Sequence, residues 1–289
     1  MSLAGDPSHD RSNEGPVAAL SWALLFRAGV GHIRFVVVSD AHMMPAGASP
    51  IAGIDACANL ASAVAAIGDL RPSPAFVVHL GDLANIPRLA PHTVSATDAY
   101  AAFAATCSPL QVPQYPVVGN HDAPGEMLTA CPVPSGASVG AQGVYSFEVG
   151  SLHGVVLNSR VPGEVPGWID ASQLAWLRRD LSSRRGGRTV VFVHHPLLPI
   201  GIDWVDALRL TNGDALAHTL IEAGGIDRVF AGHVHRHSVG ARDGLVVETA
   251  PSTRDSFGRE PGQLFIDAGQ GFLVADMDAG GVTTVAEWI

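Results

Sequence analysis

The sequence predicts an α/β fold built on a parallel sheet, and three observations lead to that prediction. Strand-like runs alternate with helix-like segments through most of the 289 residues, which is the pattern of βαβ units. Hydrophobic residues make up 47% of the chain and charged residues 15%, enough apolar side chain for a large buried core. Several short strand-like runs follow Gly240, and they predict a second sheet stacked on the first.

The individual elements follow from local pattern. Runs rich in Val, Ile and Phe predict strands, and Ala-rich or Leu-rich runs with helical spacing predict helices. The predicted helices are 56–67, 96–107, 171–181 and 214–223. The predicted strands are 33–39, 75–80, 114–118, 144–149, 154–158, 189–193, 227–231, 245–249, 271–277 and 282–288. Three Pro/Gly-rich stretches, 44–53, 85–95 and 123–143, are expected to be loops at one end of the sheet.

Residues 1–30 are expected to stand apart from a single domain at 31–289. Their first half is polar, and the apolar run 17–26 is too short to span a membrane and lacks the flanks of a secretory signal. We therefore expect no membrane segment. Three cysteines without metal-type spacing favour free thiols and a cytoplasmic protein.

The net charge of −10 bears on partners. It argues against a nucleic-acid polymer, whose phosphates need a basic surface. It leaves a small phosphorylated substrate open, because bound metal ions would reverse the local sign of the charge. A homodimer also stays open.

Five short polar clusters stand at the ends of apolar runs. They hold carboxylates, imidazoles and one amide, which are ligands that first-row metals use. A parallel sheet would bring all five clusters to one edge, and the sequence therefore predicts a binuclear metal hydrolase. The clusters are Ser39-Asp40-Ala41-His42, Gly81-Asp82, Gly119-Asn120-His121-Asp122, His194-His195-Pro196 and Gly232-His233-Val234-His235.

Spacing within the clusters suggests roles and leaves alternatives. Asp40 and His42 are two residues apart, and in extended backbone such side chains point the same way. The same argument applies to His233 and His235, although either pair alone could be a structural ion pair. Asp82 could bridge two cations, or it could cap a helix or turn.

The clusters Gly119-Asn120-His121-Asp122 and His194-His195-Pro196 each contain polar residues that are adjacent in sequence. Neighbouring side chains diverge, so Asn120 can bind metal while His121 faces a substrate. Asp122 could orient His121 or cap the following segment. One imidazole of the His194-His195 pair is expected to bind metal, and the other to support it or simply to pack.

These clusters resemble the calcineurin-like metallophosphoesterases in their order D-x-H, G-D, G-N-H-D, H-H-P and G-H-x-H. The resemblance covers residues 33 to 250. Two further features resemble the branch of class III cyclic-nucleotide phosphodiesterases and glycerophosphodiesterases. They are Trp168-Ile169 with Gln173-Leu174 and Trp176-Leu177, and the loop His194-His195-Pro196-Leu197.

The resemblance implies a four-layer α/β/β/α sandwich and a site with two ions, either Fe, Mn or Zn. It implies His121 and Asp122 as catalytic residues, with attack by a hydroxide that bridges the ions. One ion would be held by Asp40, His42, Asp82 and His235, and the other by Asp82, Asn120, His194 and His233.

The expected activity is hydrolysis of a small phosphodiester, either a 3′,5′-cyclic nucleotide or a glycerophosphodiester. The segment after Gly81-Asp82 lacks the D-R-G extension of Ser/Thr protein phosphatases, which disfavours protein substrates. Asn85 stands where many cyclic-nucleotide enzymes carry Asp, so the substrate stays open. The alternatives are a phosphomonoesterase or nucleotidase with the same metals, and a metal-binding scaffold without activity.

Overall fold

A computed structural model describes residues 31–50, 52–87, 93–141, 143–183, 188–265 and 269–289. The helices in these ranges are α1 (Ala56–Asp69), α2 (Ala96–Cys107), α3 (Pro124–Ala130), α4 (Ala171–Ser182), α5 (Asp203–Asp206) and α6 (Gly213–Ala223). The strands are β1 (Ile33–Val38), β2 (Phe76–His79), β3 (Gln114–Pro116), β4 (Ser138–Val139), β5 (Tyr145–Val149), β6 (Leu152–Val156), β7 (Arg188–Val193), β8 (Ile226–Ala231), β9 (Ser238–Arg242), β10 (Leu245–Thr249), β11 (Ser256–Phe257), β12 (Leu264–Phe265), β13 (Gly271–Asp278) and β14 (Gly281–Trp288).

Two mixed sheets form the centre of the molecule. Within the described ranges, the first sheet has the strand order β14-β13-β1-β2-β3 and the second the order β4-β5-β6-β7-β8-β10-β9. Strands β1, β2 and β3 are parallel, as are β6, β7, β8 and β10. Helices link β1 to β2, β6 to β7 and β7 to β8, as the alternation in the sequence predicts, and α2 links β2 to β3. The parallel strands β8 and β10 are instead linked through β9.

Side-chain alternation along the strands separates the layers. Val36 and Val38 of β1 pack against α1 and α2, whereas Phe35 points to the opposite face and joins Phe192 and Phe230 of the second sheet. The far face of the second sheet packs on α4 and α6. The layer order is therefore α/β/β/α, and the predicted four-layer sandwich is confirmed.

Helix starts follow from side chains that accept backbone N–H groups. Asp55 accepts from Ala58 at the start of α1, and Asp170 accepts from Gln173 at the start of α4. These caps fix where each helix begins after its loop. The caps therefore also fix where the loop before each of these two helices ends.

Two predictions about elements were only partly right. Of the late strands, β10 lies in the second sheet, but β13 pairs antiparallel with β1 and brings β14 into the first sheet. The stretch 123–143 is not all loop, since it contains α3, which begins with Pro124 at its first turn. Seven residues are too few to show helical periodicity.

The predicted tail and apolar segment at 1–30 lie outside the described residues. Among the described helices, none combines the length and apolar character that a bilayer crossing needs.

Candidate metal centre

The five polar clusters meet at the carboxyl ends of strands from both sheets. Three clusters follow β1, β2 and β3, and two follow β7 and β8. The prediction of a single parallel edge was wrong in this respect, because the clusters face one another across the two sheets. Backbone hydrogen bonds hold the loops together: Asp40 N donates to Gly81 O (3.1 Å), and Gly232 N to His194 O (2.9 Å).

Five candidate ligands have left-handed backbone. The φ angles are 53° at Asp40, 48° at His42, 50° at Asp82, 69° at His233 and 49° at His235. The explanation of the two-residue spacing by extended backbone was therefore wrong. The side chains converge because the chain turns sharply after each strand, in a conformation that non-glycine residues rarely adopt.

Four side chains form the first ligand group. His235 Nε2 lies 3.4 Å from Asp40 Oδ1 and 3.2 Å from His42 Nε2. His42 Nε2 lies 3.6 Å from Asp82 Oδ2. Two imidazole nitrogens and two carboxylate oxygens thus surround a common point, as the ligands of one cation do.

A second ligand group lies on the other side of Asp82. His194 Nε2 is 3.0 Å from Asn120 Oδ1 and 3.5 Å from Asp82 Oδ2. The rings of His194 and His233 have centroids 5.0 Å apart. Asp82 Oδ2 therefore faces both groups, while its Oδ1 accepts the backbone N–H of His121 (2.7 Å).

These residues fit a pair of cations. Within the described residues, Asp40 Oδ1 and His233 Nε2 are buried and have no hydrogen-bond partner, which is costly for polar atoms unless a ligand satisfies them. Potential ligand atoms in this part of the chain also form four overlapping sets of three, each within 4.8 Å. Nitrogen and carboxylate donors of this kind suit Fe, Mn or Zn.

Two of the imidazoles, those of His194 and His235, are oriented by a contact of their Nδ1 atom. His194 Nδ1 donates to the carbonyl oxygen of Leu80 (2.7 Å), and His235 Nδ1 contacts Asp255 Oδ1. Each contact turns Nε2 toward the cluster. Histidine ligands of metals are commonly fixed in this way, since the second contact sets the tautomer and the ring plane.

The buried imidazoles of the cluster differ in pKa. Burial lowers the pKa of His42 and of His233 to about 3. Burial acts in the same direction on His194, but Asp82 and Asp40 outweigh it and raise its pKa to about 9. Asp40 and Asp255 likewise raise the pKa of buried His235 to about 10. A cation bound here would replace these protons.

His121 faces the same cavity as the ligands. Its ring stands edge-on to His42 with centroids 5.0 Å apart, and its Nδ1 lies 3.2 Å from the carbonyl oxygen of Ile86. It is close enough to His42 and Asp82 to belong to one of the candidate ligand sets. Its position supports either contact with substrate or contact with an ion.

Asp122 is turned away from the ligand groups. Its Oδ2 accepts from Gly119 N (2.8 Å), and its Oδ1 accepts from Tyr100 Oη (3.0 Å) and Ala84 N (3.3 Å). Burial, followed by the charge of Asp82, raises its pKa to about 7. Asp122 therefore holds the loops of Gly119 and Ala84 together. These contacts do not cap the following segment, since α3 begins after Ala123 without a side-chain cap.

His195 has both ring nitrogens engaged by protein atoms. Its Nε2 donates to Val165 O (2.8 Å), and its Nδ1 lies 2.7 Å from Ser159 Oγ. His194 is the member of the pair with its Nε2 on the cluster, as the sequence reasoning allowed.

Sequence reasoning missed three residues that shape the site. Asp255 holds His235, Tyr100 holds Asp122, and Arg254 donates to Asp255 Oδ2 (2.8 Å). None stands in a motif, so only the folded structure reveals them. Gly119 has a clearer signal, because a Cβ there would lie 2.2 Å from Asp82 N and Oδ1.

A cavity of about 380 Å³ opens onto both ligand groups. Its lining combines candidate ligands from both groups with four apolar side chains. The apolar residues are Val165, Leu208, Phe257 and Leu264. A cavity of this size suits a small molecule.

Comparison with known proteins agrees with this fold. Residues 33–237 match the profile of the calcineurin-like phosphoesterases. The chain also resembles the solved structure of a dimetal phosphatase from Danio rerio, with a TM-score of 0.67 and 15% identity over 89% of this chain and 98% of that one.

Two curated bacterial proteins are similar in sequence. The 3′,5′-cyclic adenosine monophosphate phosphodiesterase CpdA of Pseudomonas aeruginosa is 29% identical over 221 residues, 76% of each chain. The glycerophosphodiester phosphodiesterase GpdQ of Enterobacter lignolyticus is 26% identical over 220 residues, 75% of this chain and 76% of that one.

The α/β/β/α sandwich with a His/Asp cluster between its sheets defines a metallophosphoesterase. This chain belongs to the calcineurin-like phosphoesterase family and is a metal-dependent phosphohydrolase.

Proposed function

We propose that this protein hydrolyses a small phosphodiester, a 3′,5′-cyclic nucleotide or a glycerophosphodiester, at a centre of two metal ions. The observation that carries the proposal is the position of Asp82 Oδ2 between two groups of ligand atoms. Asp40, His42 and His235 would complete one ion site with Asp82. Asn120, His194 and His233 would complete the other.

The bound ions, which we propose to be Fe, Mn or Zn, would supply Lewis acidity that neutralises phosphate oxygens and acidifies water. The chain's own residues would do the rest. Leu80 O and Asp255 keep His194 and His235 aimed at the centre. Asp122 and Tyr100 keep the loop that carries Asn120 and His121 in place.

His121 would supply a proton to the leaving alcohol. Its side chain lines the cavity that opens onto both ligand groups, and its Nδ1 lies 3.2 Å from Ile86 O. A protonated imidazole at this position would donate to the leaving alkoxide, which is worth about 10²–10⁴-fold in rate for a well-placed general acid.

The names of the similar proteins support a diester substrate, because one is a cyclic-nucleotide enzyme and the other a glycerophosphodiester enzyme. We extend the proposal to a cytoplasmic protein, supported by the free thiols of Cys57, Cys107 and Cys131. A homodimer and the absence of a nucleic-acid polymer as partner remain parts of the same proposal.

A panel of substrates tests the proposed function. Protein stripped of metal and reloaded with Mn²⁺ is assayed on cyclic AMP, glycerophosphocholine, bis(p-nitrophenyl) phosphate and p-nitrophenyl phosphate. We expect higher kcat/KM on at least one diester than on the monoester. A clear preference for the monoester would instead identify a phosphomonoesterase or nucleotidase.

A further inference from the structure

A second cavity lies beside the metal centre. It encloses about 480 Å³, within the size range of roughly 300–1,000 Å³ that small-molecule pockets have. Its walls are residues 43–50 of the β1–α1 loop, the start of α1, and the side of α2 that carries Ala102 and Ala105. We call this cavity the side chamber.

The side chamber and the first cavity are neighbours. Both have His42 and Arg254 in their linings. His42 belongs to the first ligand group, so the side chamber begins where the metal centre ends. His42 and Arg254 therefore lie at the junction of the two cavities.

The chemistry of the side chamber suits an uncharged organic group. Its lining is mainly small and apolar, with Ala46, Ala48, Pro50, Ala102 and Ala105. The one carboxylate in the lining, that of Asp55, already accepts the N–H of Ala58 at the start of α1. Little in the chamber would bind a second anion apart from Arg254.

Arg254 is fixed at the junction of the two cavities. Its N–H donates to Ser252 Oγ (2.9 Å), and its carbonyl oxygen accepts from Asn59 Nδ2 (3.2 Å). Its guanidinium is held by Asp255, the residue that also holds His235. A positive charge is therefore kept next to the centre, where it can contact an oxygen of a bound phosphate.

We propose that the side chamber binds one organic arm of an acyclic phosphodiester, while the first cavity holds the phosphate and the other arm. This inference rests on the proposed diesterase function and names the substrate class. The two ester oxygens of a 3′,5′-cyclic nucleotide belong to one ring and lead to one nucleoside. Those of an acyclic diester lead to two separate organic groups, and the two neighbouring cavities, which share Arg254 in their linings, offer one space for each.

Filling the side chamber tests the inference. Ala102→Leu adds three carbons on the chamber side of α2, and Ala104→Leu adds the same atoms on the side that lines a different cavity. Both are partly buried in the same helix. Each variant is loaded with Mn²⁺, its metal content is checked against wild type, and kcat and KM are measured on the four substrates above.

We expect Ala102→Leu to raise KM and lower kcat/KM on bis(p-nitrophenyl) phosphate and glycerophosphocholine by roughly tenfold or more, because the added carbons would occupy the space that the substrate arm needs. For cyclic AMP and the monoester, kcat/KM should change by less than about twofold. Ala104→Leu should leave kcat/KM unchanged on all four substrates. Equal losses on all substrates, or no loss on the acyclic diesters, would overturn the side-chamber inference alone. If wild type hydrolyses no diester, the proposed function itself fails, and this inference with it.

Discussion

Five candidate metal ligands have an unfavourable backbone conformation. They are Asp40, His42, Asp82, His233 and His235. Each has φ between 48° and 69°, and a non-glycine residue held there costs on the order of 1–3 kcal/mol. Such conformations persist where the surrounding structure enforces them, and they concentrate at functional sites. Here the sharp turns bring ligands from separate strands to one place.

Asp82 is the residue whose loss should separate the two ion sites. Asp82→Ala removes the carboxylate whose Oδ2 lies 3.6 Å from His42 Nε2 in the first ligand group and 3.5 Å from His194 Nε2 in the second. We expect loss of at least one ion per chain and near-complete loss of turnover, because positive charge would then be poorly compensated. Elemental analysis measures the number of ions per chain, and steady-state kinetics measures kcat. Asp69→Ala, at the exposed end of α1, is the control and should keep both ions. Full metal content in Asp82→Ala would make Asp82 a structural residue.

His121 should act on the substrate rather than on the ions. His121→Ala should leave the metal content nearly unchanged and lower kcat. The loss should be larger for a poor alkoxide leaving group than for p-nitrophenolate, because nitrophenolate leaves without protonation. Comparing kcat on an alkyl and an aryl diester measures the difference. Loss of metal would show that the imidazole is a ligand, which its closeness to His42 and Asp82 also allows.

At the level of elements, the sequence is most informative where a strand ends. Val38 and Val193 each close a buried strand and are followed directly by polar side chains, and Asp82 follows His79, the last residue of β2, three positions later. The strand pattern therefore located the ligand clusters. It could not locate Asp255, because its contact with His235 bridges 20 residues and depends on how the loop after β10 returns to the site. The helix α3 was missed because seven residues show no periodicity.

His153 links three elements through charge. It lies in β6, where its Nδ1 is 2.6 Å from Glu148 of β5 and its Nε2 is 2.7 Å from Asp180 of α4. Burial alone would lower the pKa of His153, but the hydrogen bonds to Asp180 and Glu148 outweigh it and raise the pKa. The folded protein therefore holds this proton more tightly than the unfolded chain does.

The raised pKa of His153 predicts a pH-dependent contribution to stability. The contribution should be fully present below the unfolded pKa of about 6.5 and lost as pH rises through the folded pKa above it. The free energy of unfolding of His153→Gln, measured in urea, should fall furthest below wild type near pH 6 and approach it at high pH. His218→Gln, on an exposed helix surface, should show little change at any pH. A deficit that grows with pH would contradict the assignment.

For the whole molecule, the sequence predicted the four layers but not which strands form which sheet. Alternation along β1 showed that both of its faces are apolar, and the structure covers one with helices and the other with the second sheet. Sheet membership of β13 and β14 depends on pairing with a strand at the opposite end of the chain. Local pattern carries no signal for such a pairing.

Metal should tie the two sheets together. Asp40 and Asp82 follow strands of the first sheet, and His194 and His233 follow strands of the second. We expect about two ions per chain after reconstitution, and a higher Tm for loaded than for chelated protein. An ion at 100 times its Kd adds about 2.7 kcal/mol. Elemental analysis and thermal unfolding measure both. One ion per chain, or an unchanged Tm, would defeat the two-ion centre.

The pairing of β1 with β13 has a consequence for synthesis on the ribosome. Arg34 of β1 and Asp276 of β13 pair at 2.8 Å although they lie 242 residues apart in the chain. Strand β1 is therefore synthesised long before β13, and the edge of β1 that pairs with β13 stays unpaired during that interval. Through this time β1, the strand that precedes Asp40 and His42, can pair only with β2. Chaperones that shield unpaired strands have this interval in which to act.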